Sequence, residues 1–501
     1  MAKIKRNFTT NVVLNISIFR IVYLCSMFLG SFFFVEPIGH AIKYLCLIWA
    51  FILIYHYYAK PKRFTQVLHV RWLILFLIAT LLTTVIHIMD NFFLNFLLLL
   101  HAVVCFLVLY GMHTERNKRR VRKELYIIAC IILFATTASM IASFAVLPLG
   151  ASEMKFLYST YKFVIYENRF TGIFINPNLL GFYGVLAIVS AHILSKDELY
   201  NNIGKAVRFP AWSLIIAVAI NLIGIFMSDS NGSILLLTGY IIGVMIYKLF
   251  GGMPSLNIPK LLLRGVALIL VAVISLGLLL SVRSLVNKSA SYIINHENQV
   301  VEEKPDKPSK PKENTNIVTF AHENENLDSG RLALLEKAVV IFYDNPIMGV
   351  GKENIVLFGE RLLDKGLKYS DLHNGYLTIL VSNGLVGFVL FIGFAVSLCR
   401  QSIKSLFLEK KNLKNSPFPC LFAFIFAYCI YAVIEKTMLW EHTFMVAIFW
   451  YILGYLSCYV KKYDHIDDSF DFKALINKCK ENTEQAIDTE EIDIIDIPTD
   501  E

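Results

Sequence analysis

The side chains best suited to chemistry are three arginines and a histidine. Arg169 lies in NRFTGIFINPNLLG, Arg283 ends a long apolar run, Arg331 opens RLALLEKAV and His373 sits in DLHNGYL. Asp371 and Asn374 flank the histidine. Asp229 and Asn231 fall in SDSNGS, and Glu435, Lys436, Glu441 and His442 crowd IEKTMLWEH. A guanidinium is a planar fork of donors that matches phosphate oxygens. An imidazole can take a proton from a hydroxyl near neutral pH. Together they suit an anionic, lipid-linked substrate on one face of a membrane bundle. Taken singly, each is as readily a helix cap or the partner of a nearby carboxylate.

The elements that must position these groups are membrane helices. Of 501 residues, 56% are hydrophobic and 17% charged, with a mean hydropathy of +0.58. A soluble domain carries about 25% charged residues. The deficit excludes a soluble enzyme, a disordered chain and a nucleic-acid binder, and predicts an all-α polytopic membrane protein. Apolar runs recur near 12–34, 39–59, 70–88, 92–112, 125–149, 177–195, 210–228, 231–249, 263–284, 374–398, 417–436 and 443–460. Each is about long enough to cross a bilayer core, which gives about 12 transmembrane helices. The first run is too long for a signal peptide, and no small-residue cleavage site follows it.

Orientation follows from the loop cations. Loops after even-numbered spans are rich in Lys and Arg, led by the six cations between Arg116 and Lys123, whereas the short loops after spans 1, 3, 7 and 11 hold essentially none. Both termini are therefore expected in the cytoplasm. The basic run reads as an anchor at the cytoplasmic face rather than a nucleic-acid or anionic-lipid patch. Two long segments remain outside, about 150–176 and 285–373. Within the second, 302–316 carries Pro305, Pro308 and Pro311 at the three-residue period of an extended polyproline spacer. After it, Leu332, Leu335, Val339 and Phe342 share one face of an amphipathic helix that Asn345-Pro346 ends. Gly349 and Gly351 then make a tight turn. The chain divides into a membrane domain, 1–460, and an acidic tail, 461–501, expected to be flexible; residues 463–501 hold 3 Lys+Arg and 13 Asp+Glu. Arg20, inside the first span, is expected to snorkel toward the cytoplasmic surface, with the bundle interior as the alternative. The nine cysteines show no metal-ligand spacing and read as small buried hydrophobes.

Three segments taken in order carry a resemblance: RFTGIFINPN, then SGRLALLEKAVVIFYDNPIMGVGKEN, then DLHNGYLTILVSNGLVGFVLF. They resemble the O-antigen ligase and O-antigen polymerase superfamily over about residues 165–400. In that family an Arg-containing turn precedes one helix, a large outer loop carries an Arg-led helix ending in NP…GVG, and an HN motif opens the next helix. The resemblance implies a metal-independent membrane glycosyltransferase with no cofactor. It would act outside the cytoplasmic membrane on a polyprenyl-diphosphate-linked oligosaccharide, by attack of a hydroxyl on the anomeric carbon with inversion. Arg169 and Arg331 would bind the diphosphate and stabilise the leaving group, and His373 would orient or deprotonate the acceptor, supported by Asp371 and Asn374. Glu435 and Glu441 are the next candidates for that proton. Many members carry an Arg where this chain has Asn231; either Arg283 supplies the charge or the pocket differs. Asn176, Pro177 and Asn178 read as a turn and cap for span 6.

Two readings share this chemistry. A polymerase would join lipid-linked repeat units into a capsule-like polysaccharide, beside a flippase and a chain-length regulator. A ligase would move a finished glycan to a lipid or protein acceptor. Richness in Lys, Asn and Ile hints at an AT-rich, Gram-positive genome with no lipopolysaccharide core as acceptor, which tilts the reading toward a polymerase. A twelve-helix secondary transporter is the alternative from another class. It is disfavoured because no repeat relates the two halves and the long loop lies outside after span 9.

Overall fold

Apolar runs fold into helices here because hydrocarbon leaves no other partner for backbone N–H and C=O groups. The computed structural model describes residues 12–113, 118–156, 159–166, 168–200, 207–251, 258–302, 331–363, 366–367, 371–408 and 415–460. The spacer beyond Glu302 and the tail 461–501 lie outside the described residues. In chain order the helices are α1 (Ile16–Leu29), α2 (Glu36–Tyr58), α3 (Val70–Ile86), α4 (Phe92–Val103, continued by a π-helical stretch Val104–Tyr110) and α5 (Lys118–Ala145). Strands β1 (Ser152–Phe156), β2 (Ser159–Tyr166) and β3 (Arg169–Gly172) follow. Then come α6 (Pro177–Leu194), α7 (Ala211–Met227), α8 (Asn231–Phe250), α9 (Ile258–Glu302), α10 (Arg331–Asp344), α11 (Ile355–Leu362), α12 (Gly375–Leu408), α13 (Phe418–Tyr431) and α14 (Phe444–Val460).

Every apolar run of the sequence is thus helical. Among the described residues, seven helices are long and apolar enough to cross a membrane: α2, α4, α5, α6, α8, α9 and α12. The other five, α1, α3, α7, α13 and α14, are apolar but shorter, at 14–17 residues. α14 sits at the centre; Trp450, Tyr451 and Tyr455 are fully enclosed, as expected of a helix apolar all round. α9 is the opposite case. Almost none of its apolar stretch is buried, so its Leu, Ile and Val side chains face outward, as they would toward lipid.

The long segment at 150–176 holds a three-stranded antiparallel sheet in the order β1-β2-β3, a small addition to the all-α membrane fold. The β-branched and aromatic run TYKFVIY builds β2, and a bulge at Val164/Ile165, with Val164 at φ 67°, bends it toward β3. α10 buries Leu334, Ala338 and Ile341 against Val350, Ile355 and Phe358, with Phe342 partly buried beside them, while Leu335 and Val339 are exposed. One expectation needs correction: Arg20 does not snorkel. It is fully buried, 3.1 Å from Glu124 Oε1, and donates from Nε to Val108 O and from Nη2 to Leu109 O. The π-helical stretch frees those carbonyls, and a buried charge with a partner and several hydrogen bonds is tolerable where a lone one is not.

α12 is broken. Gly384 has φ 62° and ψ −169°, outside helical geometry. The Asn345–Gly351 turn fills the break: Leu385 N donates to Pro346 O (2.8 Å), Val386 N to Ile347 O (3.1 Å), Val350 N to Val381 O (3.1 Å) and Gly351 N to Ser382 O (2.9 Å). Gly349 and Gly351 do make the tight turn, at φ 73° and 82°. A Cβ on Gly349 would lie 2.4 Å from Gly384 N, so the approach requires glycine.

Candidate functional site

Two polar clusters gather around the N-terminal end of α8 and the C-terminal end of α13. The first begins at β3. All four of its residues are buried, which carries the Arg169 side chain inward. Its Nε donates to Ser228 O (3.0 Å) and its Nη2 to Asn178 Oδ1 (2.6 Å). Asn176 caps α6 by accepting from Asn178 N, and Pro177 takes the first helical position, as the sequence indicated. Asn178, however, also fixes the guanidinium, a role its place in a turn did not reveal. Beyond Ser228 the backbone turns through Asp229, at φ 48°, into α8. Arg283 of α9 reaches this turn: Nη1 donates to Asn231 Oδ1 at 2.6 Å and Nε lies 3.3 Å from Asp229 Oδ1. Asn287 adds a bond to Asp229 at 3.1 Å. Arg169, Arg283 and Asn231 are therefore brought together, and Asp229 is the carboxylate that orients Arg283. Arg331 is the first residue of α10, and its side chain lies outside the described part.

The second cluster surrounds His373, which opens α12 in the left-handed region at φ 45°. Its backbone N donates to Asp371 Oδ1 (2.8 Å), and its Nε2 lies 3.4 Å from the same oxygen. Its Nδ1 lies 3.9 Å from Glu435 Oε2. Asn374 is occupied as the helix cap, accepting from Leu377 N (2.9 Å). Lys436 bridges two carboxylates, Asp371 through a short contact and Glu441 at 2.6 Å. The ring is 34% exposed while Asp371 is 6% exposed, so the histidine is reachable and its support is not.

The charges follow. Glu435 is the main influence raising His373 above the ordinary histidine value; burial opposes it and Asp371 adds to it. Burial pushes Asp371 up, but Lys436 outweighs it and holds the carboxyl low. Burial raises Glu441 against the pull of Lys436. Lys436 is raised: burial lowers it, and Glu441 and Asp371 more than compensate. Next along, burial, with His101 and Lys43, pushes His442 well below the ordinary histidine value, and its Nε2 lies 3.2 Å from the Tyr23 hydroxyl.

The clusters share a wall. A Cβ on Gly232, next to Asn231, would lie 2.9 Å from the Tyr431 ring and 3.6 Å from Ile434, whose neighbour is Glu435. Lys436 stood in the sequence as one charge in a crowded turn; nothing local announced that it would pair with Asp371 of a distant segment. Among the described residues, no three His, Cys, Asp or Glu side chains are grouped as metal ligands.

Residues 216–392 match the family model described as O-antigen ligase. The match covers α7 to most of α12, including Asn231, Arg283, Arg331 and His373, and it supports the O-antigen ligase and polymerase superfamily. No curated protein matches the chain significantly.

Proposed function

From the premise of an O-antigen-ligase domain in a multi-pass membrane protein of the glycan-transferring kind, we propose that the chain is a polymerase of lipid-linked repeat units. It joins polyprenyl-diphosphate oligosaccharides into a capsule-like polysaccharide on the outer face of the cytoplasmic membrane. Twelve crossings, with both termini in the cytoplasm, put the sheet and both polar clusters outside. The observation that carries the reading is the histidine held between two carboxylates beside an arginine pair.

Asp371 beside Nε2 and Glu435 beside Nδ1 hold the ring between two carboxylates and make it a stronger base. An acceptor hydroxyl gives its proton to the ring as its oxygen bonds to the anomeric carbon. The bond from that carbon to the diphosphate oxygen breaks, and inversion follows. Glu435 stabilises the imidazolium as it forms. Arg169 and Arg283 take up the charge growing on the leaving diphosphate, a role the sequence also assigns to Arg331. Asn231 and Asp229 hold Arg283 in place, and Lys436 and Glu441 hold Asp371.

The test is purified protein in liposomes with the host's polyprenyl-diphosphate oligosaccharide, run on a gel beside His373→Ala. A ladder from the wild type, lost in the variant, is expected. A single transfer that needs an added acceptor would make the protein a ligase instead. A ladder that survives the substitution would remove His373 from the reaction.

A further inference from the structure

The sheet next to Arg169 lines an open cleft of about 580 Å³ that the transfer step does not use. Its lining includes Ser152 and Glu153 of β1, Lys162 and Tyr166 of β2, and Asn168 in the turn to β3, with Ile165 as an apolar patch. The size falls in the range of about 300–1,000 Å³ typical of small-molecule pockets, far beyond one ion or water.

The chemistry of the lining selects among ligands. Glu153 and Lys162 face each other across the β1–β2 pair and form an exposed ion pair at 3.7 Å, so their charges cancel. A phosphate or an anionic headgroup therefore gains little there. What remains is a dense mixture of donors and acceptors: a carboxylate, an ammonium, an amide and two hydroxyls, beside an aromatic ring. Sugar hydroxyls both donate and accept, and the C–H face of a sugar ring packs on an aromatic. We infer that this cleft is an oligosaccharide subsite that holds sugars of a glycan chain while its diphosphate lies at Arg169. The inference rests on the glycan-transfer reading above.

Position supports it. Asn168 directly precedes Arg169, and Tyr166 is the β2 partner of Arg169 in the sheet. The strand that carries Arg169 thus begins at the edge of the cleft. The bulge at Val164/Ile165 shifts the register of β2 just before Tyr166, which is how a strand re-aims the side chains that follow.

The test uses the full chain in nanodiscs and, as probe, the diphosphate-free oligosaccharide released by mild acid from the host's lipid-linked repeat unit. Saturation-transfer NMR reads binding without turnover. Kinetics with the intact lipid-linked donor read KM and kcat. Tyr166→Ala and Asn168→Ala are expected to abolish the saturation transfer and raise KM about tenfold, with kcat within about twofold of wild type. Glu153→Ala, on an exposed edge, should weaken binding in the same sense and serves if Tyr166→Ala does not fold. Unchanged saturation transfer and KM in folded variants would overturn the subsite. Binding that depends on Tyr166 in a protein that transfers nothing would support the subsite and overturn the transfer reading. Normal transfer with no binding of the probe would do the reverse.

Discussion

Lys436 is the point at which the site can be disassembled with one change. Its ammonium contacts Asp371 and lies 2.6 Å from Glu441, and the three side chains are only 24%, 6% and 18% exposed. At an effective dielectric of about 20, the Glu441 contact alone is worth about 6 kcal/mol of attraction before desolvation is subtracted. Lys436→Met removes the cation and leaves two buried carboxylates facing each other. Breaking a buried pair from one side costs about 3–5 kcal/mol. That is two to three and a half orders of magnitude in the folded-to-unfolded ratio at about 1.4 kcal/mol per tenfold. Denaturant or thermal unfolding in detergent micelles reads the loss. The pH dependence is specific. Asp371 is held low in the native protein, so its contribution is present above its unfolded value and is lost as pH falls through its folded value. Glu441 is held high, so its ionisation costs stability as pH rises through its folded value. Without Lys436, both carboxyls destabilise the fold once ionised. The deficit should therefore be full near neutrality, shrink in acid, and be partly repaired by adding Glu441→Gln. A variant as stable as wild type at neutral pH, or a deficit independent of pH, would refute the reasoning. Because Asp371 orients His373, glycan transfer should fall with stability.

Other perturbations test the remaining parts. Glu435 is the main influence raising His373, so Glu435→Gln should move the acid limb of the pH–rate profile to lower pH, since the ring becomes neutral sooner; an unmoved limb would remove Glu435 from the pair. Arg283→Ala should lower the transfer rate by about 10²–10³, as loss of one oriented donor to a developing anion does, with Arg283→Lys recovering little because a point charge cannot span Asn231 and Asp229; single-turnover kinetics would check both. Gly384→Ala should cost at least about 1–2 kcal/mol from the left-handed backbone alone, and more because its Cβ would fall 2.3 Å from Ile347 O; a melting temperature unchanged from wild type would contradict the interlocked turn.

The helices were legible because hydrocarbon leaves the chain little choice: long apolar runs recur, and each one folded where it lay. The sheet was not, because β2 alternates for only a few residues before the Val164 bulge breaks its period. α10 shows a second limit. Its sequence places Leu332, Leu335, Val339 and Phe342 on one side, yet the residues that Val350 and Ile355 cover are Ala338 and Ile341, with Phe342 at their edge. Residue type picked out His373 and the arginines as able to do chemistry. Pairing did not follow from type: Lys436 with Asp371, Arg169 with Asn178 and Arg283 with Asp229 each join different elements of the fold. Roles that depend on a partner far along the chain become visible only when the backbone has been laid out.

The break at Gly384 has a consequence for biogenesis. Leu385 and Val386 donate to, and Val381 and Ser382 accept from, a turn that belongs to no membrane helix. If that stretch met lipid before the turn had docked, four backbone groups would face hydrocarbon unpaired, each at a cost of several kcal/mol. The order of synthesis favours the outcome. Residues 346–351 leave the ribosome before 375–408 and are already waiting when the broken helix arrives. Insertion of α12 is then a docking event, completed by a segment made earlier. Lesions in the Asn345–Gly351 turn should thus show themselves at the translocon, as chains cleared by membrane quality control before any enzyme has formed.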